Sequence, residues 1–225
     1  MLTSYLLPNT TLTFSGREGT TDEGVIRDCL INNNYGIKAE YLPEKSIVVD
    51  IGANIGVFTC YAASLQAGSR LISYEPEPEN MALLTQNIKL CKCDKQVTVH
   101  QYAVGKPTES AKMIARHGNS RLVDSAGGAP GSEGRIIEVP VISLASVLDD
   151  NHIVDCHFLK VDAEWSEYAI FDCPSDIIGR FARIAMEFHP TTADIFGKLI
   201  CKLNLTHRLD ILGSHLRGGY IFANL

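Results

Sequence analysis

Acidic side chains recur at comparable places along this chain. Asp50, Glu75, Asp162 with Glu164, and Glu187 with His189 each follow or end a short apolar run. Carboxylates that converge suit three kinds of chemistry: binding a cationic ligand, binding a metal, or moving protons. Singly, each has a plainer reading, because Asp and Glu commonly cap the helix that follows a strand. Four such strand ends on one rim are harder to read that way. Asp50 also leads into Gly52-Ala53-Asn54-Ile55-Gly56, a D-x-G-x-N-x-G turn. A dinucleotide site uses G-x-G-x-x-G, which brings backbone N–H groups and a helix N-terminus onto a pyrophosphate. A carboxylate at the entrance repels such a dianion and suits a positively charged ligand instead.

S-Adenosylmethionine has the matching chemistry: a sulfonium, an α-ammonium and no phosphate. Its carboxylate can use the helix N-terminus, while Gly52 and Gly56 permit close backbone approach. Glu75, followed by Pro76, is placed to accept hydrogen bonds from both ribose hydroxyls, a feature that dinucleotide sites share.

The elements that must position these residues follow from hydrophobic period. Residues 46–50, SIVVD, read as a strand buried on both faces. Phe58, Tyr61, Ala62 and Leu65 recur at helical spacing until Gly68. The unit repeats as strand 70–75, helix 78–91 and strand 96–102, which implies right-handed crossovers onto a parallel sheet. Residues 104–142 are expected to be an irregular insertion or lid, with extended segments flanking a Gly/Ser-rich middle. Alternation resumes with strand 156–162, a helix over about 166–171, strand 183–189, a helix over about 192–203 and a final antiparallel hairpin. The expected fold is α/β, a doubly wound, mostly parallel seven-stranded sheet of Rossmann-like type. Its ligands bind at the carboxyl ends of the strands. Residues 1–45 are expected to form an N-terminal helical extension packed on this core, and 46–225 the main domain. Asp22 is read as the cap of a helix carrying Val25, Ile26, Cys29 and Leu30.

Composition narrows the partners. The chain has 225 residues, 45% of them apolar, and a formal net charge of −6. No run of Lys or Arg exceeds two residues, so the basic stripe of a nucleic-acid binder is missing and no nucleic acid is expected. No apolar run approaches the roughly 20 residues of a membrane span. The N-terminus lacks the pattern of a signal peptide. Most of the seven cysteines fall in apolar runs, and Cys91-Lys92-Cys93 has no second pair downstream. The expectation is a reduced, cytoplasmic protein of unspecified oligomeric state.

VVDIGANIGVFT (48–59), SYEPEPENMALLTQNI, AVG (103–105), VPVISLASVL, FLKVDAEWSEYAIF and MEFH, in that order and spacing, resemble the FkbM-type S-adenosylmethionine-dependent methyltransferases. The likeness covers residues 20–190. It implies the seven-stranded class I methyltransferase sheet, S-adenosyl-L-methionine as cofactor, and methylation of a hydroxyl on a sugar-containing or small natural-product acceptor. The cofactor residues expected on this basis are Asp50, Gly52, Asn54 and Gly56 at the methionine end, Glu75 and Pro76 at the ribose, Tyr102–Ala103 at the adenine, and Asp162 at the ammonium. Asp162, Glu164, Glu187 and His189 are the catalytic candidates, with Glu167 also competing for the acceptor side. His189 has the ordinary pKa best matched to proton transfer. Lys160, two residues before Asp162, is read as an ion-pair partner of these acids. Asp162, Glu187 and His189 also have the chemistry of a divalent-metal site, and some sugar O-methyltransferases of the same broad fold use magnesium. Nothing in the spacing demands a metal here, and none is assigned. Asn119 and Ser120 resemble a polar pair that closes over the site, and Tyr35 and Asp22 could cover the cofactor. One position departs from the family pattern: Trp165 stands where Gly is usual. It either reshapes the acceptor pocket or offers a stacking face. The alternatives are an N-, RNA or protein methyltransferase, a cofactor-binding module without turnover, and a nicotinamide dehydrogenase.

Overall fold

The computed structural model describes residues 1–7, 10–116, 120–123 and 134–225. The chain opens not with a helix but with an antiparallel pair, β1 (Leu2–Leu7) and β2 (Thr10–Ser15). Alternation in TTLTFS buries Leu12 and Phe14 on one face. Helix α1 (Asp22–Leu30) follows and buries Ile26, Cys29 and Leu30. The expected helical extension is therefore a hairpin plus a helix. Its capping residue is Thr21, without a side-chain cap bond; Asp22 is the first helical residue. The Asp22 carboxylate is instead held by Arg17, whose Nη2 lies 2.9 Å from Oδ1.

The core follows as β3 (Ile47–Ile51), α2 (Val57–Leu65), β4 (Arg70–Tyr74), α3 (Pro78–Leu90) and β5 (Val97–His100). Pro78 opens α3, where its missing N–H costs nothing. Next come β6 (Ala103–Val104), β7 (Thr108–Ala115), β8 (Arg121–Leu122) and β9 (Arg135–Ile142). These four form a second sheet in the order β6-β9-β7-β8. Much of the segment expected to be irregular is thus a small sheet, with Met113, Val139 and Val141 as its buried contacts. Its Gly/Ser-rich middle, and Asn119, lie outside the described residues.

The chain returns to the main sheet through α4 (Leu144–Asp150), capped by the Ser143 hydroxyl, and then β10 (Phe158–Val161). Two single-turn helices, α5 (Glu167–Ile170) and α6 (Ser175–Ile178), precede β11 (Arg183–Phe188). Helix α7 (Ala193–Leu203) and the hairpin β12 (Arg208–Ser214) and β13 (Gly218–Asn224) complete the fold. The large sheet is mixed, in the order β12-β13-β11-β10-β3-β4-β5. Its five strands from β11 to β5 run parallel, and β13 pairs antiparallel with both β11 and β12. Strand alternation divides the core between two layers. Val49, Ile72, Leu159 and Ile184 meet the α4 and α7 side, whereas Val48, Leu71, Phe158 and Ala185 meet α1, α2 and α3. From β3 the chain steps outward through β4 and β5, then recrosses to β10 and β11. The strand order therefore reverses between β3 and β10, and a crevice opens at their carboxyl ends.

Candidate active site

The turn after β3 has the backbone its glycines require. Gly52 (φ 74°), Asn54 (φ 51°) and Gly56 (φ 85°) are all left-handed. A Cβ on Gly52 would lie 1.8 Å from the Asp162 carbonyl oxygen, so no other residue lets β3 and β10 approach this closely at their ends. Asn87 fixes the turn from α3, donating to the Ile55 carbonyl at 2.8 Å and to the Ser15 carbonyl at 3.0 Å. It thereby also ties the N-terminal hairpin to the turn.

A cleft of about 560 Å³, open solvent included, lies over this turn. Gly52, Asn54, Glu75, Pro76, Ala103, Asp162 and Glu164 line it, so most of the residues named from sequence share one cleft. Glu75 is buried. Its Oε2 accepts from the Asn54 amide at 2.8 Å, and Oε1 from the Glu77 amide at 2.9 Å. Oε1 also accepts from Asn80 Nδ2 at 3.4 Å, whereas Oε2 keeps a second lone pair that can accept from a ligand hydroxyl. Burial pushes the Glu75 carboxyl up to about 7, against the pull of those amides. Asn54 Oδ1 is a buried acceptor with no donor among the described residues. An ammonium group on a ligand would satisfy it. Tyr102 and Ala103 close the cleft beside β5, as an adenine flank requires.

Asp50 sits differently from expectation. It is 1% exposed and does not line the cleft. Thr59 Oγ1 donates to its Oδ2 at 2.7 Å, and Lys160 Nζ lies 3.2 Å from Oδ1. Lys160 also donates to the Gly52 carbonyl at 2.5 Å. The expected pairing of Lys160 is present, but it neutralises the carboxylate that was to face the ligand. Asp50 therefore holds the turn through Lys160 and presents no surface to the cleft. Its bare charge no longer argues against a pyrophosphate; the carboxylates of Asp162 and Glu164, which line the cleft, do.

On the other wall, Asp162 is 27% exposed in its side chain and accepts from the Tyr35 hydroxyl at 2.8 Å. The Tyr35 hydroxyl lies 3.4 Å from Glu187 as well. Tyr220 reaches Glu187 at 3.3 Å. Burial, with the nearby Asp162 charge, pushes the Glu187 carboxyl up to about 7. His189 is gripped at both nitrogens. Nδ1 is 2.8 Å from Glu167 Oε1 and Nε2 is 3.1 Å from Glu164 Oε2. Burial alone would lower its pKa, but the two carboxylates outweigh burial and raise it to about 11. An imidazolium holds no lone pair, so in this arrangement His189 cannot be the general base that its type suggested.

Trp165 does not line the cleft. Its Nε1 donates to the Pro190 carbonyl at 3.1 Å, its ring packs 4.6 Å from His189, and Arg121 stacks at 5.3 Å. Glu164 (φ 43°) and Trp165 (φ 70°) are consecutive left-handed residues. This conformation is the reason a glycine suits position 165, and an indole there carries strain of roughly 1–2 kcal/mol. Trp165 therefore packs between His189 and Arg121.

One cleft residue, Asn80, was not singled out from sequence as a contact. Asn80, within the PENMALL helix, donates to Glu77 at 3.2 Å and accepts from Arg17 at 2.8 Å. Ser120 lines the cleft and hydrogen-bonds Glu77, while its expected partner Asn119 lies outside the described residues. Asp22 reaches the site only through Arg17.

All seven cysteines are free, and four of them are buried. No helix among the described residues is long and apolar enough to cross a membrane.

Comparison with known proteins agrees with this architecture. In solved structures the fold is similar to a precorrin-6Y C5,15-methyltransferase from Geobacter metallireducens, at 15% identity and TM-score 0.52, covering 93% of this chain and 92% of that one. It is likewise similar to a protein titled a putative rRNA methylase from Clostridium thermocellum, at 8% identity and TM-score 0.52, covering 93% and 97%. A curated relative from Beauveria bassiana (strain ARSEF 2860), named Methyltransferase 1, is 28% identical over 103 residues, which is 44% of this chain. The match spans 40% of that relative's own length. The model of the methyltransferase FkbM domain matches residues 50–215, from the acid that ends β3 to the final hairpin. The chain belongs to the FkbM methyltransferase family.

Proposed function

We propose that this chain is an S-adenosylmethionine-dependent methyltransferase that methylates a hydroxyl of a sugar-containing or small natural-product acceptor. One observation carries the reading: a single cleft sets Glu75 and the unsatisfied Asn54 Oδ1 on one wall and Asp162, backed by Glu187, on the other. The donor supplies a methyl group on a sulfonium, which leaves as S-adenosylhomocysteine. Glu75 binds the ribose hydroxyls, Asn54 the ammonium, and the Gly52–Gly56 turn the carboxylate. Asp162 and Glu187 share the Tyr35 hydroxyl and face the acceptor. They orient its hydroxyl and receive its proton, the role moved here from His189. Holding the acceptor oxygen in line with the methyl supplies the rest of the acceleration.

The net charge of −6 and the missing basic runs argue against an RNA acceptor. The test is incubation of the chain with donor and a panel of hydroxylated acceptors, followed by assay of S-adenosylhomocysteine. The expected result is acceptor-dependent product. Glu187→Gln should lower kcat by roughly 10²–10⁴-fold and leave donor affinity unchanged. Turnover of Glu187→Gln at the wild-type rate would remove the proton role, and product formation only with amine acceptors would remove the hydroxyl assignment.

A further inference from the structure

We propose that Asp162, Glu164 and His189 bind a divalent first-row transition-metal ion of the Mn²⁺ type beside the acceptor position. One ligand atom from each of the three lies within 4.8 Å of the other two, the span that a single ion can bridge. Sequence reasoning had placed Glu187 in this set; the geometry puts Glu164 there instead.

Three further observations point the same way. Glu167 has no exposed side-chain surface and holds His189 Nδ1 at 2.8 Å. That contact fixes the ring so that Nε2 faces Glu164 and Asp162, the carboxylate–histidine support found behind metal ligands. Next, Nε2 approaches Glu164 Oε2 to 3.1 Å, yet that oxygen is buried and accepts no aligned hydrogen bond. An ion bound here displaces the proton that the two carboxylates hold on His189, which frees the Nε2 lone pair for coordination. Lastly, acceptors outnumber donors. Glu167 Oε2 is also buried without a donor among the described residues, and Glu187 adds its charge to those of Asp162 and Glu164. Lys160 is spent chiefly on Asp50, from which it stands 3.2 Å against 4.0 Å to Asp162. A dication balances this excess.

The donor set selects the ion. Mg²⁺ and Ca²⁺ favour oxygen ligands throughout, whereas imidazole with carboxylates suits Mn²⁺, Fe²⁺, Co²⁺ or Zn²⁺. An ion here would hold an acceptor hydroxyl and ease its deprotonation. Asp162 then serves as a ligand and Glu187 remains to take the proton. This use of the ion rests on the proposed methyl transfer; the binding itself does not.

Trp165 is the only tryptophan, and its ring lies 4.6 Å from the His189 ring, so emission from the chain reports directly on this site. The experiment titrates the full chain with Mn²⁺, without donor, and follows both tryptophan quenching and the electron paramagnetic resonance signal of free Mn²⁺. The expected result is saturable quenching with loss of one equivalent of free signal, and a much weaker response to Mg²⁺ in competition. Glu164→Gln and His189→Gln should abolish it. Glu167→Gln, which only loosens the ring, should weaken binding by roughly 10–100-fold. Wild-type chain that leaves the Mn²⁺ signal unchanged overturns the proposal whatever the variants do, as does equal affinity in a folded His189→Gln. Titration with S-adenosylhomocysteine tests the donor site separately, so either reading can fail alone.

Discussion

Under the proposed function, donor recognition turns on Glu75. Its carboxyl is pushed up to about 7 by burial, so the donor-free protein takes up a proton there as pH falls through neutrality. A protonated carboxyl has fewer acceptor sites for ribose hydroxyls. Affinity for S-adenosylhomocysteine should therefore fall as pH drops from 8 to 6, by less than about tenfold per unit. Glu75→Gln should weaken binding by about 10-fold or more and flatten that dependence. A donor-free stability effect of opposite direction accompanies it. In the unfolded chain the carboxyl ionises near its ordinary 4.5, whereas the folded protein keeps the proton until about 7. The unfolded state thus holds fewer protons in that window, and stability falls as pH rises through it. Thermal melts of wild type and Glu75→Gln across pH 4.5–7 check the sign.

At this scale the sequence was most informative where a residue's type sets its chemistry, as with Glu75 and Asp162. It was least so where neighbours override type. Histidine suggests a base near neutrality, but Glu164 and Glu167, brought to its two nitrogens by the turn after β10, hold it as a cation.

At the scale of elements, β3 and β10 are joined across their register, with Lys160 opposite Asp50. The pair is fully buried, so its two members depend on one another more than on their environment. Removing one leaves an uncompensated charge in the core. Asp50→Ala should lower the unfolding free energy by about 3 kcal/mol or more, and Lys160→Met by a similar amount. The double variant should recover much of the loss, and denaturant melts of the three measure this. If the double variant were as unstable as the two losses summed, the ion pair would not be what couples them. The partnership is invisible along the chain because strand register, not spacing, creates it. The N-terminal hairpin was missed for a related reason. Its strands are six residues each and dock through Asn87 on α3, a contact 72 residues away. Most parallel strands of the core were legible because each carries a short apolar run buried on both faces, as in β3, β4 and β10. The small sheet was read only as extended segments, since seven of its twenty strand residues are exposed and its pairing closes a gap of many residues.

Across the whole molecule, the reversal of strand order between β3 and β10 places the carboxyl ends of the central strands around one cleft. Family membership and topology fix the chain as a methyltransferase domain of FkbM type. Under the proposed function, Asn54 and Asp162 take over recognition of the cationic donor from Asp50, and the wall around Glu164, Trp165 and His189 governs the acceptor. The central claim is that this cleft takes S-adenosylmethionine and not a dinucleotide. Calorimetric titration of the full chain with S-adenosylmethionine, and separately with NAD, tests it most directly. The account predicts saturable binding of the methyl donor with a stoichiometry of about one, and no measurable heat with NAD. Tight NAD binding with no response to the methyl donor would contradict it.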